Sequence, residues 1–466
     1  MHKHLRLTCY ALLCLLVPIG VMAQTEHTYL DRALPGSWSE EGSDFQQTLP
    51  VEDNWWRNFK DPLLDSLIEV AVKQNYSVQM AMDRIAMAKA NLRSAQGSYS
   101  PTLGLSAGWT RQQSSGNINQ VPKAITQYSS ATVDMNWEVD VFGSIRNRVK
   151  AENFAASKEE YNAAMVSLCA QVASSYINMR ELQQEVKVAQ QNCRSQQTVV
   201  QITQKRYETG LVSKLDVAQA QSVYYSTKAS LPMLEAGIIQ YANSLAILLG
   251  LYPSDLQKIM ETDASLPEYI EPVGVGLPAN LLLRRPDVRA AERQVNALAA
   301  SLGASKSDWW PKVFVKGSVG FASHDFDKLA NHNSLTYEIA PTLTWNFFQG
   351  TQKIQATRLA KAQLDESIRQ FNQTVLTSVQ EVDNAMSSYK NSIKQIVALR
   401  EVVNQGKQTL DLSLDLYKQG LTPFQNVLDA QRSLLTYQNQ LTQAQGSSLL
   451  NLIQLYQSLG GGWNPM

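Results

Sequence analysis

Apolar and polar side chains alternate strictly in two stretches of the chain. Within residues 129–141, aliphatic and aromatic residues alternate with threonine, asparagine and carboxylates, and residues 335–348 repeat this pattern. A second alternating segment precedes each stretch, at about 101–112 and 311–322. A period of two residues is typical of a β-strand with one apolar face. The pattern therefore predicts four strands arranged as two hairpins, each closed by a polar loop.

A different period governs the rest of the chain, which is rich in Gln, Asn, Ser and Ala. Apolar residues recur about every 3.5 positions from Met165 and again from Val375. So narrow a stripe is typical of coiled-coil packing rather than of a globular core. The pattern predicts long helices at about 147–206, 213–250, 353–416 and 423–459. The first and third would each be about 90–100 Å long if unbroken.

Turn residues mark two helix ends at equivalent places. Gly210 and Gly420 each follow a tyrosine by three positions and can adopt the left-handed conformation that ends a helix. Ser213 and Asp216 then form a capping-box signature for the next helix. In the second case Thr422 is expected as the N-cap, with proline at the first helical position. Each pair of long helices is therefore predicted to form a tight helical hairpin.

The chain repeats itself at an offset of 210 residues. The Tyr-x-x-Gly-Leu motif that ends at Leu211 recurs at Leu421, and the same register runs from before residue 100 to the C-terminus. A repeat unit that spans several elements favours two pseudo-symmetric halves over a solenoid of small repeats. We expect a first structural repeat at 24–255 and a second at 256–466.

The first residues are typical of a secretory signal. Lys3 and Arg6 precede an apolar run, which ends in small residues before Ala23. Residues 1–23 are therefore expected to be a signal peptide, with a membrane anchor as the alternative. No later apolar run approaches the roughly 18 residues that a membrane-spanning helix needs.

Charge and cysteine content narrow the possible partners. The chain has 41 basic and 41 acidic residues, and loss of residues 1–23 would leave it slightly negative. A near-neutral chain argues against nucleic acid as a partner. Cys169 and Cys193 are expected on one helix, about 36 Å apart along its axis, which is too far for a disulfide between them.

The sequence offers little that would support catalysis. It contains no Gly-x-Ser-x-Gly motif, metal-ligand cluster or phosphate-binding loop, so we expect neither an enzyme nor a cofactor. His324 and His332 flank Asp325 and Asp327 and could bind a metal. The alternative, which we favour, is a solvated surface loop without metal.

The four predicted strands could belong to either of two kinds of protein. A half-solvated sheet in a soluble domain alternates in this way, and so do the strands of an outer-membrane barrel, which are about ten residues long and bounded by Trp and Tyr. Four strands cannot close a barrel in lipid, where every strand edge must be paired. In the membrane setting, several copies of the chain would therefore have to complete one barrel.

Several motifs carry a family resemblance. They are the segment Trp137–Gly143, the segment Leu283–Glu292 with its Arg-Arg-Pro-Asp core, the two Tyr-x-x-Gly-Leu hairpins and the segment Leu459–Trp463. On these motifs the chain resembles the TolC-like outer-membrane efflux family. It is most similar to the outer-membrane factors of resistance-nodulation-division pumps, the NodT- and OprM-like subgroup. The resemblance covers about residues 50–463.

The resemblance implies a mixed α and β membrane protein in the outer membrane of a Gram-negative bacterium, extending into the periplasm. A homotrimer would close a twelve-stranded transmembrane β-barrel in outer-membrane lipid, continued by a long periplasmic α-helical barrel. The implied partners are a periplasmic adaptor and an inner-membrane resistance-nodulation-division transporter. The implied function is a passive exit duct for small molecules. The alternatives are the exit channel of a type I protein secretion system and an adhesin or spacer without an open lumen.

The resemblance also implies an adaptor-docking site at the periplasmic tips of the helical hairpins. The matching residues are Gly210, Leu211, Gly420 and Leu421. Ordinary helix-turn chemistry explains the two glycines equally well, but it does not explain exposed leucines at both turns. We therefore expect the leucines to carry the docking function.

A second implied site is the periplasmic gate, where acidic rings and hydrogen bonds between helices hold the tip shut. The matching residues are Asp216, Tyr417, Asn426 and Asp429. Relatives often carry a second acid where this chain has Asn426, and some carry a bridging Arg where it has Thr422. A less acidic gate with different bonds is expected here. For Asp216, a role at the start of its helix is the alternative.

Overall fold

A computed structural model of the protein describes residues 29–40, 45–46, 51–115, 117, 125–260, 265–267, 269 and 272–463. The chain divides into two units, Met1–Ala33 and Leu34–Met466, and the elements given below belong to the second. The expected signal peptide at 1–23 lies outside the described residues. Among the described residues, no helix combines the length and apolar character that crossing a membrane requires.

The second unit is built mainly from helices. In chain order they are α1 Pro62–Gln74, α2 Tyr76–Gly97, α3 Ser144–Ala151, α4 Phe154–Glu208, α5 Lys214–Leu248, α6 Pro253–Met260, α7 Leu281–Arg284, α8 Pro286–Ser307, α9 Gln352–Lys418 and α10 Phe424–Ser458. The strands are β1 Phe45–Gln46, β2 Thr102–Gln113, β3 Ile125–Val139, β4 Val273–Gly274, β5 Lys312–Ser323 and β6 Leu335–Thr344.

Four strands form an antiparallel sheet in the order β2-β3-β5-β6. The register aligns the apolar residues into rows that cross all four strands, such as Leu105, Val133, Val319 and Tyr337. Residues of opposite parity face the other way, as in the row Gly104, Asp134, Ser318 and Glu338. One face of the sheet is therefore apolar and the other polar. The apolar face is open, with Leu105 81% and Tyr337 77% exposed.

The last strand is shorter than its sequence pattern predicts. The alternation continues to residue 348, but β6 ends at Thr344, which pairs with Lys312 at the start of β5. The residue before Lys312 is Pro311, which has no amide hydrogen to extend the ladder. Beyond Thr344, the indole of Trp345 donates to the carbonyl oxygen of Trp309 over 3.1 Å. The pairing therefore stops although the alternation continues.

Two antiparallel helix pairs form the elongated part of the unit. Helix α4 packs along α5, α9 packs along α10, and α10 also contacts α4. Helix α9 has 67 residues and is about 100 Å long, whereas α4 has 55 residues and is about 80 Å long. These two pairs carry the narrow apolar stripes.

The long helix predicted at about 147–206 is interrupted near its start, so its length is less than that of one unbroken helix. Helix α3 ends before Glu152, which is extended, with ψ 106°. Asn153 then caps α4, and its side chain accepts a hydrogen bond from the amide of Ala156 over 3.2 Å. Asparagine at an N-cap offers the backbone a local hydrogen-bond partner, which favours the start of a new helix at this point.

The main hydrophobic core lies where α1, α4, α5 and α10 meet the segment before α1. Its centre is aromatic, with the ring of Trp55 stacked on that of Tyr456 at 5.3 Å. The hydroxyls of Tyr269 and Tyr456 lie 3.0 Å apart. The indole of Trp38 donates to the carbonyl oxygen of Gly276 over 2.8 Å and so ties the early chain to this core.

The Arg-Arg-Pro-Asp segment joins this core to the helix ends around it. Arg285 is buried, and its guanidinium contacts the carboxylates of Asp287 at 2.6 Å and Glu381 at 2.7 Å. It also donates to the carbonyl oxygen of Ser458, the last residue of α10. Arg284 pairs with Asp53 at 2.6 Å. The segment therefore connects α8, α9, α10 and the chain before α1.

Equivalent elements recur at the spacing seen in the sequence. Helices α5 and α10 begin and end 210 residues apart, as do β2 and β5 and also α2 and α8. The glycines that follow α5 and α10, Gly250 and Gly460, both have positive φ, at 69° and 74°. The sequence repeat thus coincides with a repeat of element boundaries.

Candidate functional site

The hairpin between α4 and α5 ends in a compact turn. Gly210 has φ 72°, which is left-handed and favours glycine. Its amide donates to the carbonyl oxygen of Tyr207 over 2.9 Å, and the amide of Leu211 donates to that of Arg206 over 2.8 Å. This pair of bonds is the Schellman motif, which satisfies carbonyls that the helix end leaves free.

The hairpin between α9 and α10 has the same backbone. Gly420 has φ 76°, its amide donates to Tyr417, and the amide of Leu421 donates to Leu416 over 2.9 Å. The C″ leucine of each turn stays outside the packing, since Leu211 is 66% and Leu421 70% exposed. The turns therefore present one exposed leucine each.

The two turns lie beside each other at one end of the helix pairs. The guanidinium of Arg206, in the last turn of α4, donates to the carbonyl oxygen of Lys418, the last residue of α9, over 2.6 Å. A side chain added at Gly420 would place its Cβ 3.9 Å from Nη2 of the same arginine. The four predicted docking residues thus lie within one small surface.

Two of the predicted gate residues meet between the hairpins. The hydroxyl of Tyr417, on α9, donates to Oδ2 of Asp216, on α5, over 3.4 Å. The other carboxylate oxygen of Asp216 accepts from the hydroxyl of Ser213 over 3.1 Å. Burial, together with the nearby charge of Asp216, raises the pKa of Tyr417 to about 12. The tyrosine therefore keeps its proton at neutral pH and acts as the donor.

The helix starts differ in detail from the predicted capping patterns. Ser213 is the N-cap of α5, but its hydroxyl donates to the Asp216 carboxylate instead of accepting from a backbone amide. Pro423, not Thr422, is the N-cap of α10. The hydroxyl of Thr422 instead accepts from the side-chain amide of Asn426 over 2.7 Å.

The other two predicted gate residues are not part of this contact. The hydrogen bonds of Asn426 and Asp429 stay within one turn at the start of α10, since Asp429 accepts from the side-chain amide of Gln425 over 2.9 Å. Both side chains are exposed. The structure of one chain therefore brings Asp216 and Tyr417 together and leaves Asn426 and Asp429 on an open face of α10.

Beneath these polar contacts lies a second hydrophobic cluster, which includes Val199, Val223, Leu410, Tyr417, Phe424, Val427 and Leu428. The rings of Tyr417 and Phe424 are 5.0 Å apart and tilted. Neither Phe424 nor Arg206 was among the site residues predicted from the sequence. A basic residue in the last turn of a helix was the signal available for Arg206, because cations are favoured there.

The loop that was considered for a metal is held by the protein itself. Nδ1 of His324 lies 2.6 Å from the carbonyl oxygen of Gln127, in β3, and Asp325 pairs with Lys328 at 2.7 Å. Within the part of the chain that the structure describes, no group of three or more potential His, Cys, Asp or Glu metal ligands is present. Local bonds therefore account for this loop.

Comparison with known proteins places the chain in a family. The sequence model described as outer membrane efflux protein matches residues 67–251 and again residues 277–461. Nodulation protein T of Rhizobium leguminosarum bv. trifolii is 27% identical over 437 residues, which cover 93% of this chain and 92% of that protein. The toluene efflux pump outer membrane protein TtgC of Pseudomonas putida is 28% identical over 418 residues, covering 89% and 86%.

Solved structures agree with this assignment. The outer-membrane channel OprN matches with a TM-score of 0.88 and 27% identity, covering 92% of this chain and 98% of that one. The outer membrane protein VceC of Vibrio cholerae matches with a TM-score of 0.83 and 26% identity, covering 89% and 100%. The family match spans most of the chain and occurs once in each half, and we conclude that this protein belongs to the outer membrane efflux protein family.

Proposed function

We propose that three copies of this chain together form one duct, to which each contributes the sheet β2-β3-β5-β6. The observation that carries the proposal is a sheet with an open apolar face and two edge strands, β2 and β6. In lipid, unpaired backbone groups at a strand edge are costly, so only a closed barrel is stable. Three sheets of four strands give a twelve-stranded barrel, in which β6 of one copy pairs with β2 of the next.

As a member of its family, the protein is the outer-membrane channel of a tripartite efflux system and extends into the periplasm. Its relatives are channels and not enzymes, in keeping with a passive role. In the proposed barrel the apolar face meets outer-membrane lipid, and the polar face, with Asp134, Glu138, Lys316 and Glu338, lines a water-filled lumen. Such a lumen suits small polar and amphipathic molecules driven by an inner-membrane pump.

The two halves, 24–255 and 256–466, are proposed to descend from one duplicated unit. The family model matches twice at an offset of 210 residues, and equivalent helices end at the same offset. Two copies of a strand-hairpin and helix-hairpin unit give each chain four strands and two helical hairpins. In the trimer, the helix pairs α4–α5 and α9–α10 would continue the barrel as an α-helical tunnel.

The tips of the helical hairpins are proposed to form both the gate and the docking site. Asp216 and Tyr417 tie the hairpins together within one chain. Asn426 and Asp429 lie on an open face of α10, where threefold symmetry would gather three Asp429 carboxylates around the axis. The exposed Leu211 and Leu421, next to Gly210 and Gly420, offer apolar anchors to a periplasmic adaptor protein.

Two measurements on the purified protein test the duct. Native mass spectrometry in detergent is expected to give a trimer, and planar bilayers are expected to show discrete channels. A monomer that closes its own barrel, or a protein that never partitions into lipid, would overturn the proposal. An adhesin or spacer would assemble without conducting.

The docking site is tested by Leu211→Asp and Leu421→Asp, with Leu412→Asp as a control of similar exposure on α9. We expect the two tip variants to lose cross-linking to the adaptor and to insert normally, while the control retains cross-linking. Co-purification with a resistance-nodulation-division transporter is expected. An ATP-driven exporter in its place would favour the alternative, a type I protein secretion channel.

A further inference from the structure

Arg206 makes a short polar contact between the two helical hairpins, at the end where both turns lie. Its guanidinium extends from the last turn of α4 to the end of α9, where Nη1 donates to the carbonyl oxygen of Lys418 over 2.6 Å. The same guanidinium lies over the ring of Tyr417, 4.9 Å from its centroid. One side chain of the first hairpin thus contacts two consecutive residues of the second.

The helix end explains why a cation is favoured at this position. The last four carbonyls of a helix have no partner within the helix, and together they carry a partial negative charge. Lys418 is the last residue of α9, and its own ammonium is paired with Asp415 at 3.0 Å. Arg206 therefore satisfies a carbonyl that α9 cannot satisfy itself, and it lies near the C-terminal ends of both α4 and α9.

The contact of Arg206 with Lys418 is stronger than the hydrogen bond between Tyr417 and Asp216, which also joins the two hairpins. The hydrogen bond from Tyr417 to Asp216 is 3.4 Å long, well beyond the roughly 2.7–2.8 Å that is usual between oxygens, and is therefore weak. A hydrogen bond from a charged group at 2.6 Å is among the strong ones, and stacking on a tyrosine ring adds a cation–π attraction. Arginine suits both contacts at once, because its guanidinium is planar and carries several donors.

We propose that Arg206 is the positioning residue that holds the α9–α10 hairpin against the α4–α5 hairpin and so keeps the tip closed. This inference rests on the proposed gate at the same tip. Opening requires the two hairpins to separate or slide, which would break the contacts of Arg206 with both Lys418 and Tyr417. The Arg206 contact places a cation on the end of α9, and it acts in addition to the hydrogen bond that the Asp216 carboxylate accepts from Tyr417.

A role confined to stabilising the end of α4 is the competing explanation. Lys205 is the matched control, since it lies in the same last turn, carries the same charge and is exposed. If only the charge at the end of α4 mattered, Lys205→Ala and Arg206→Ala would act alike. If the contact across the hairpins matters, only Arg206→Ala will open the channel.

The experiment measures the conductance of the full-length trimer in planar bilayers, with trimer integrity checked by native mass spectrometry. Loss of a charge-assisted hydrogen bond is expected to shift the closed-to-open ratio by about tenfold or more. We expect Arg206→Ala to raise the mean conductance severalfold, Arg206→Lys to have an intermediate effect, and Lys205→Ala to match the wild type. Should Arg206→Ala not assemble, Arg206→Gln serves in its place with the same expectation.

A double variant separates this inference from the gate itself. Because the Arg206 guanidinium also lies over the Tyr417 ring, the two residues are coupled, and Arg206→Ala with Tyr417→Ala is expected to open the channel by less than the sum of the two single effects. If Tyr417→Ala opens the channel and Arg206→Ala leaves it closed, the role of Arg206 is refuted and the gate stands. Fully additive effects would also refute it. If the wild-type trimer is already fully open, the gate and the inference both fall.

Discussion

Glu181 places a carboxyl group in the seam between α4 and α10, and its titration should be visible in the stability of the protein. The carboxylate faces Gly446 so closely that a side chain there would collide with it. Glu185 lies one turn further along α4 and accepts a hydrogen bond from Gln443 over 2.9 Å. Burial, together with the charge of Glu185, raises the pKa of Glu181 from 4.5 to about 7.

The raised pKa of Glu181 determines the sign and the size of its effect on the pH dependence of stability. A carboxyl group whose pKa is raised in the folded state favours folding while it is protonated, so its contribution is complete below pH 4.5 and is lost as the pH rises through about 7. Each unit of pKa difference between the folded and unfolded states corresponds to about 1.4 kcal/mol, so ionisation of a fully buried group with this pKa would lower the free energy of unfolding by about 3 kcal/mol at pH 8. Glu181 is only half-buried, so solvent screening reduces this cost to about 1–2 kcal/mol.

The substitution Glu181→Gln removes the charge and keeps the shape. At pH 8 it should raise the melting temperature of the purified protein by about 1–2 °C, given the size of the chain. At pH 5 the gain should be much smaller, roughly a quarter of that at pH 8, because the unfolded carboxyl is then only partly ionised and the folded one is protonated. Glu160→Gln, an exposed carboxylate on the same helix, controls for the general effect of losing a negative charge.

Two explanations of a higher melting temperature in Glu181→Gln can be separated by its pH dependence. A gain of the same size at pH 5 and pH 8 would mean that glutamine packs better, and would refute the argument from ionisation. No gain at pH 8 would mean that water or a neighbouring copy already stabilises the charged carboxylate. The measurement is a thermal unfolding scan at one fixed rate, because membrane proteins of this size often unfold irreversibly.

Three further outcomes are expected. Asp429→Ala should raise the conductance of the reconstituted trimer, since it removes the proposed ring of charge, and an unchanged trace with an intact trimer would exclude Asp429 from the gate. Arg285→Ala should lower the stability by about 2–3 kcal/mol in thermal unfolding, because two carboxylates lose their partner, whereas the exposed Arg293→Ala should change little. Gly420→Ala should lower the free energy of unfolding by about 1 kcal/mol, because Gly420 has a positive φ. Gly97, at a helical position with open space, is the control, and equal effects of Gly420→Ala and Gly97→Ala would show that the positive φ carries no cost.

Local periodicity was sufficient to predict most of the elements, and the resemblance of a few motifs was sufficient to predict the family. Strands with a two-residue alternation and helices with a narrow stripe are properties of neighbouring residues, so one chain reveals them directly. The predictions of family, outer-membrane location and efflux function are confirmed. The gate, the docking tips and the limits of the two halves stay predictions.

What the sequence could not show depends on residues far apart in the chain or on competing local bonds. The stack of Trp55 on Tyr456 and the hydrogen bond from Arg206 to Lys418 join residues that are far apart in the sequence. A periodic pattern of neighbouring residues cannot reveal such contacts. The break before α4 arises because the Asn153 side chain caps a new helix, although the apolar stripe gives no warning of an end. These long-range contacts and the helix break therefore depend on packing and capping, which the apolar pattern of the sequence does not encode.

The exact repeat of the two hairpins makes their differences informative. The Schellman turns at Gly210 and Gly420 have the same bonds and nearly the same φ, so the backbone carries no asymmetry. The side chains break the symmetry, because position 416, equivalent to Arg206, is leucine, and position 426, equivalent to Asp216, is asparagine.

This asymmetry has a physical reason. If both hairpins carried a cation and an acid at these positions, like charges would meet where the tips touch, and each hairpin could satisfy its own charges instead of those of its neighbour. With the cation and the acid both on the first hairpin, Arg206 bonds the helix end of the second hairpin, and Asp216 accepts from Tyr417 of the second hairpin as well as from Ser213 of its own. Arg206 and Asp216, which are proposed to hold the tip closed, thus lie at positions where the two halves of the chain differ in sequence.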